Sequence, residues 1–389
     1  MKSKINAKLV LLDHSKAKVE LYTNYLATYL NILSRTSYVD TVRIYDLMCG
    51  EGIYADGSKG SPIIALEKIR DHYNYNKGTF LNLKVWFNDK GKSEIKENKY
   101  KIDRVEQVCS KIDIPNNVEV FYTRKDYTEI YQKVIEEVDV LSAKERALIF
   151  IDPYGYKEVK PKHLKKILKN GKTELILFLP ISHMYRFMKK SLSNDDFPGG
   201  IPLQEFLTPL IAFNHMLGKV NSPDEFILQL KESFKKFLSN CSILVDTFTI
   251  ERDSQNIYCL FFFTSHILGF EKMLETKWKI DEQQGKGFRS DWKQGALFTE
   301  IEISNYPNEL KNFIQSDNTK TNSDLYIFGL RKGFLPKHTN QILKKWQKDN
   351  PKFKVYLENG NEARKNSFYL DYKYHHGNNP KKIVKFVFE

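Results

Sequence analysis

The chain has 389 residues, of which 41% are hydrophobic and 28% charged, and a formal net charge of +13. That length suggests two or three domains, and the balance excludes a disordered chain. No run approaches the ~18 apolar residues of a membrane span, and MKSKINAKLVLLDHSKAK has neither the apolar core nor the cleavage site of a secretory signal, so a cytoplasmic protein is expected.

Along the chain, SKAKVELYTNYLATYLNILSR places Val19, Tyr22, Tyr25, Leu26, Tyr29, Leu30 and Leu33 on one helical face, with Ser15 positioned to cap it. VRIYDLM (42–48), LNLKVWFND (81–89), VEVFYT (118–123), ALIFIDPY (147–154) and TELILFLP (173–180) each read as a strand covered on both faces. Helical segments separate them. SPIIALEKIRDHY has Ser61 as N-cap and Pro62 at the first helical position, KSEIKENKYKIDRVEQVCSK and TEIYQKVIEEVDVLSAKE follow, and PKHLKKILKN ends at Gly171. This alternation implies a largely parallel sheet with helices on both faces.

Residues 183–240 break the rhythm and read as a helical insertion. SILVDTFTI (242–250) and NIYCLFFFTSH (256–266), joined by a short polar turn, suit an antiparallel hairpin. Five parallel strands closed by a hairpin match a seven-stranded class I methyltransferase sheet, a Rossmann-like α/β fold. Such a domain is expected over 1–280, with DEQQGKGFRSDWKQG (281–295) as linker. Over 296–389, YPNELKNFIQS, TNSDLYIFGLRKGF and NQILKKWQKDN read as helices, the last capped by Thr339 with Ile342, Leu343 and Trp346 as its buried stripe. With FKVYLENG and SFYLDYKY as wing strands, this predicts a basic, winged-helix-like α+β domain that exposes Lys337, Lys344, Lys345 and Lys348 to nucleic acid. Residues 331–389 carry 14 Lys or Arg against 5 Asp or Glu. A polyanion partner and a plain solvated, lysine-rich appendage used for protein contacts both account for that excess.

The chemistry concentrates at strand ends. YDLMCGEG gives Asp46, Gly50 and Gly52 in the pattern D-x-x-x-G-x-G, where glycines let the backbone turn sharply and approach a ligand. No Gly-Lys-Ser/Thr follows, so a phosphate-cradling loop is not expected. An acid beside a glycine turn suits a cation with an amino-acid end, S-adenosylmethionine, although an ordinary strand–helix connection gives the same pattern. Asp89 is placed to accept ribose hydroxyls and Asp126 to accept from an adenine amine, each with a helix N-cap as the plainer alternative. Asp152, Pro153 and Tyr154 form Asp-Pro-Tyr-Gly, near the D/N-P-P-Y signature of amino-methylating enzymes but lacking its second proline. There the carboxylate accepts from an exocyclic amine, the proline fixes the chain and the ring stacks on a flat base; a simple strand-ending turn is the alternative. Cys49, Cys109, Cys241 and Cys259 include no C-x-x-C pair, and the adjacent His375 and His376 lack a partner at ligand spacing, so no metal site is expected.

HSKAKVELYTNYLATYLNIL, YDLMCGEGIYADGSKGSPIIALE, FIDPYG and YCLFFFTSHILGFEKMLETKW resemble the three-Cys-motif partner protein family over about the first 280 residues. The tail is similar to that family's C-terminal helix-turn-helix region. One departure is MCGEG, containing Cys49 and Glu51, where relatives tend to read FAGPG. The resemblance implies an S-adenosylmethionine-dependent methyltransferase fold and a radical-SAM-like partner with three cysteines. Methylation of a base amino group and a non-catalytic scaffold that binds nucleic acid or that partner are the two functions expected from these features.

Overall fold

The computed structural model describes residues 12–76, 81–93, 99–153, 155–193, 199–253, 255–281, 285, 287–289, 305–317, 319–375 and 382–389. They fall into two compact units, Met1–Gly269 with Lys286–Trp292 and Phe270–Gly285 with Lys293–Glu389. The division lies eleven residues before the expected end of the first domain at 280. Side chains of 270–285 explain the difference: Glu271 accepts from the Tyr326 hydroxyl at 2.5 Å, and the Trp278 indole packs 4.1 Å from His338, both within the second unit.

In the first unit, α1 (Asp13–Leu33) precedes β1 (Thr41–Asp46), α2 (Ser61–Tyr75), β2 (Asn82–Asn88), α3 (Lys101–Cys109), β3 (Val118–Thr123) and α4 (Tyr127–Asp139). Next come β4 (Glu145–Ile151), α5 (Pro161–Leu168) and β5 (Thr173–Leu179), then α6 (Ile181–Leu192), α7 (Gly200–Ile211) and α8 (Pro223–Phe237), and finally β6 (Leu244–Asp253) and β7 (Asn256–Thr264); α9 (Ile267–Ile280) follows and belongs mostly to the second unit. A short β8 (Gly287–Arg289) joins parallel to β6. The sheet order is β3-β2-β1-β4-β5-β7-β6-β8, and β7 alone runs against the rest.

The two faces of the sheet bury different residues, as the period of two requires. Ala147, Ile149 and Ile151 of β4, with Leu175, Leu177 and Leu179 of β5, share a core with Ile130 and Val134 of α4, Leu164 of α5, Leu207 of α7 and Phe234 of α8. The opposite face receives α1, where Tyr22 stacks on Phe150 at 4.3 Å and Tyr25 meets Phe262 edge-on at 4.9 Å. All seven residues of the expected apolar face of α1 are buried. Gly171 lies just past α5 with φ +66°, the left-handed conformation that stops a helix.

Three capping expectations fail for one reason: the helices start earlier than their Ser or Thr. Ser15 sits inside α1, whose N-cap is Leu12, and Ser61 is the first residue of α2, whose N-cap is Gly60. Thr339 lies within α12 (Pro336–Asp349), capped by Leu335, because Pro336 supplies the pre-set φ at its first position. The linker expectation also fails in part, since 287–289 extend the sheet; most of the other linker residues lie outside those described.

In the second unit, α10 (Tyr306–Gln315), α11 (Asn322–Arg331) and α12 are followed by β9 (Phe353–Leu357), α13 (Tyr372–His375) and β10 (Val384–Phe388), with β9 and β10 antiparallel. Thr321, between α10 and α11, bridges to Lys385 and adds a third edge to that hairpin. The expected wing strand SFYLDYKY is not one; its last residues form α13 and β10 takes its place. Among the described residues no helix is long and apolar enough to cross a membrane.

Candidate functional site

The register aligns the strand ends that matter. Asp46, last residue of β1, stands beside Phe87 of β2 and Phe150 of β4, so Asp89 and Asp152 each follow two residues beyond the row level with Asp46. Carboxyl ends of parallel strands are where open α/β sheets bind ligands.

Asp46 is fully buried. Its Oδ2 accepts from Ser61 Oγ at 2.6 Å, which holds the start of α2 against the end of β1. Burial pushes its carboxyl up to about 7, opposed by the Ser61 hydrogen bond, assisted by the charge of Asp152 and opposed again by Lys18. Through Ser61 the buried Asp46 holds the loop that follows β1. The Tyr22 hydroxyl and Cys49 thiol lie within its field; burial first, and Asp46 next, raise both well above their usual values.

Gly50 and Gly52 both adopt positive φ, +68° and +72°. Their surroundings differ. A Cβ on Gly52 would come within 3.1 Å of Val105 Cγ2, whereas one on Gly50 would meet nothing within 4 Å. Gly52 therefore serves packing, and Gly50 presents bare backbone to open space. Asp89 fixes that backbone: its Oδ2 accepts from the Gly50 N–H at 3.0 Å and its Oδ1 from the Gly91 N–H at 2.7 Å. Glu51 pairs with Arg104 at 3.9 Å.

Asp152 forms an ion pair with Lys18 of α1 through Oδ2, and the Lys18 ammonium lies 4.7 Å from the Phe178 ring centroid. Phe178 in turn stacks on Tyr258 at 5.3 Å, leaving an aromatic pair flanking the end of β5. Pro153 is buried behind Asp152, and Tyr154 lies outside the described residues.

Asp126 is engaged in a different way. It is the N-cap of α4, its Oδ1 accepting from the Thr128 N–H at 2.9 Å, and its Oδ2 pairs with Lys90. Lys90 and then the Thr128 N–H hold its carboxyl below the usual range. The capping alternative thus describes Asp126, while Asp46, Asp89 and Asp152 cap no helix.

Sequence reasoning missed three residues. Lys18 and Ser61 act on the acids across long sequence gaps and carry no local signal. Asn88 ties three strand ends together: its amide donates to the Leu47 and Lys125 carbonyls at 3.1 Å each, and its oxygen accepts from Lys125 N–H and Thr123 Oγ at 2.9 Å. The polar Asn-Asp pair that ends an otherwise apolar run was its one signal. In the second unit, Lys337, Lys344, Lys345 and Lys348 are all exposed on α12, opposite the buried Ile342 and Leu343. Among the described residues no group of three or more His, Cys, Asp or Glu is placed to hold a metal ion.

No protein-family model matches the sequence, and no curated protein matches it. Similar solved structures include Trm1 from Pyrococcus horikoshii with S-adenosyl-L-methionine, at 13% identity over 69% of this chain and 62% of that one, TM-score 0.34. The O-methyltransferase from Bacillus cereus in complex with SAH has 11% identity over 66% and 85%, TM-score 0.32, and loganic acid methyltransferase with SAH has 12% over 64% and 78%, TM-score 0.28. The chain thus spans less than two thirds of the length of Trm1. The strand order is what assigns the fold: five parallel strands in the order 3-2-1-4-5, closed by a hairpin whose last strand is reversed and inserted beside β5, form the class I methyltransferase sheet.

Proposed function

We propose that the first unit is an S-adenosylmethionine-dependent methyltransferase acting on an amino group of a nucleic-acid base, and that the second unit holds the nucleic acid. The observation that carries this reading is the convergence at the ends of β1, β2 and β4: an open glycine backbone pinned by Asp89, a buried Asp46 behind it, and Asp152 within the field of Asp46. These residues fit a sulfonium ligand, because acids outnumber bases there and Gly50 admits close approach without a side-chain clash. Bound there, S-adenosylmethionine supplies an electrophilic methyl group.

The chain's own part is orientation. Asp89 and Asp46 fix the glycine turn, the first through the Gly50 N–H and the second through Ser61. Asp152 accepts an N–H of the incoming amine, with Lys18 holding Oδ2 and so setting the direction of the carboxylate. An amine held this way directs its lone pair in line, and its proton leaves after transfer, so no strong base is needed. Tyr258 and Phe178 offer stacked rings at the side of Asp152 for a flat acceptor.

For the second unit, the order helix, bridged residue, helix, helix and hairpin supports a winged-helix-like reading, with α12 as the helix that meets nucleic acid. The resemblance to three-Cys-motif partner proteins supports a radical-SAM-like partner, which co-purification of the two tests. Incubation of the full chain with methyl-tritiated S-adenosylmethionine and cellular RNA or DNA tests the activity. Label in base amino groups, reduced on the order of 100-fold by Asp152→Ala, is expected. One observation favours a scaffold instead: Asp152 is already engaged by Lys18. On that reading no label appears, and Asp152→Ala leaves nucleic-acid and partner binding intact.

A further inference from the structure

The exposed face of α12 is one wall of a hollow of about 560 Å³ whose other wall is the segment 366–371 with Tyr374. Lys337, Gln341 and Lys344 line it from the helix; Tyr369, Asp371 and Tyr374 line it from the other side. The backbone here is unusual. Among the described residues three non-glycine residues have positive φ, and two of them, Asn366 at 64° and Tyr369 at 53°, belong to this segment. A bulky aromatic residue in the left-handed region persists only where its surroundings over-determine it, and such residues gather at ligand sites.

The surroundings do over-determine it. Asn322, buried at the start of α11, donates from Nδ2 to the carbonyls of Tyr369 and Lys382 at 3.1 Å each, and its Oδ1 accepts from the Val384 N–H at 3.1 Å. One amide thereby holds Tyr369 and Lys382 side by side, with the Lys382 ammonium 4.6 Å from the Tyr369 ring centroid. Tyr374 stands edge-on to Tyr369 at 5.2 Å, and both rings are half-buried, so each keeps part of its surface toward solvent.

Rings fixed at the edge of a lysine-bearing helix suit unpaired bases better than a duplex, whose base faces are hidden in the stack. We propose that this hollow takes an unpaired nucleotide of a nucleic-acid single strand. Its base lies on Tyr374 with Tyr369 beside its edge, its phosphates meet Lys337 and Lys344, and Gln341 and Asp371 reach its polar edge. The volume lies within the range of sites for small ligands, about 300–1,000 Å³, and so admits one nucleotide. This inference rests on the reading of the second unit as nucleic-acid-binding.

Fluorescence anisotropy on the full chain tests it, with a labelled mixed-sequence strand of about 15 nucleotides, as DNA and as RNA, alone and annealed to its complement. Tighter binding of the single strand is expected, with Tyr374→Ala weakening that binding about 5- to 100-fold and Tyr374→Phe, which keeps the ring, restoring it. The DNA and RNA arms identify which strand is preferred. Lys344→Ala should weaken the single strand and the duplex alike. Duplex binding equal to or tighter than single-strand binding, with Tyr374→Ala unchanged, overturns the inference and leaves nucleic-acid binding standing. Binding of none of these probes at low salt by protein of native circular dichroism overturns both.

Discussion

Gly50 and Gly52 are alike in sequence and conformation, yet their neighbours assign them different work. Gly52→Ala combines a positive φ with a Cβ 3.1 Å from Val105, so it should cost about 2 kcal/mol in urea unfolding, whereas Gly50→Ala, with open space, should cost about 1 kcal/mol. Calorimetry should show the reverse order for S-adenosylmethionine, with Gly50→Ala losing more affinity because its methyl enters the ligand's side of the turn. Asp46 makes a second prediction. Its folded carboxyl titrates at about 7 against an ordinary value near 3.8, so between those values the native state holds a proton that the unfolded chain has lost. Its contribution to stability is therefore complete below about pH 4 and disappears as pH rises through about 7; Asp46→Asn should flatten that part of a plot of urea midpoint against pH. The glycine turn was legible because positive φ leaves a composition signature. The difference between a ligand-facing acid and a buried one was not, since Asp46 is defined by Ser61, Tyr22 and Lys18, which approach only after folding.

Among elements, strands were the most legible. Apolar runs located β1 to β5 within a few residues, although only β5 is buried throughout; β3, at the edge of the sheet, buries Val118 alone and corrects the expectation that all five are covered on both faces. Helix starts were less so: Leu12, Gly60 and Leu335 cap without a side-chain hydrogen bond, while the Ser61 and Thr339 hydroxyls turn to tertiary partners, Asp46 and the Tyr306 hydroxyl, each at 2.6 Å. The seam between α1, β5 and β7 depends on a buried carboxyl that no periodicity reveals. Glu174 accepts from Tyr25 at 2.5 Å and Thr264 at 2.6 Å, and burial raises it to about 7 despite both hydrogen bonds. Tyr25→Phe removes one donor from a carboxylate with no access to water. At pH 8 it should cost about 1–3 kcal/mol in urea unfolding, and a loss below 0.5 kcal/mol, about the scatter of surface substitutions, would show that the seam does not depend on this bond.

At the scale of the whole molecule, the alternation of strands and helices was enough to expect the sheet, its closing hairpin and the helical stretch between β5 and β6. Glu271 and Trp278, on a helix continuous in sequence with β7, pair with residues 326 and 338 far along the chain, a contact that no local pattern reveals. The net charge of +13 enters here too. If α12 neutralises phosphates, a logarithmic plot of affinity against salt should fall steeply, and Lys344→Ala or Lys348→Ala should each reduce its slope by about 0.7 for a single strand or 0.9 for a duplex. The most direct test of the account is isothermal titration of S-adenosylmethionine and S-adenosylhomocysteine into the intact chain, with Gly50→Ala alongside. One molecule bound per chain, and binding abolished or strongly weakened in Gly50→Ala, is the predicted result. No heat from either compound with fully folded protein, or equal binding by Gly50→Ala, would contradict it.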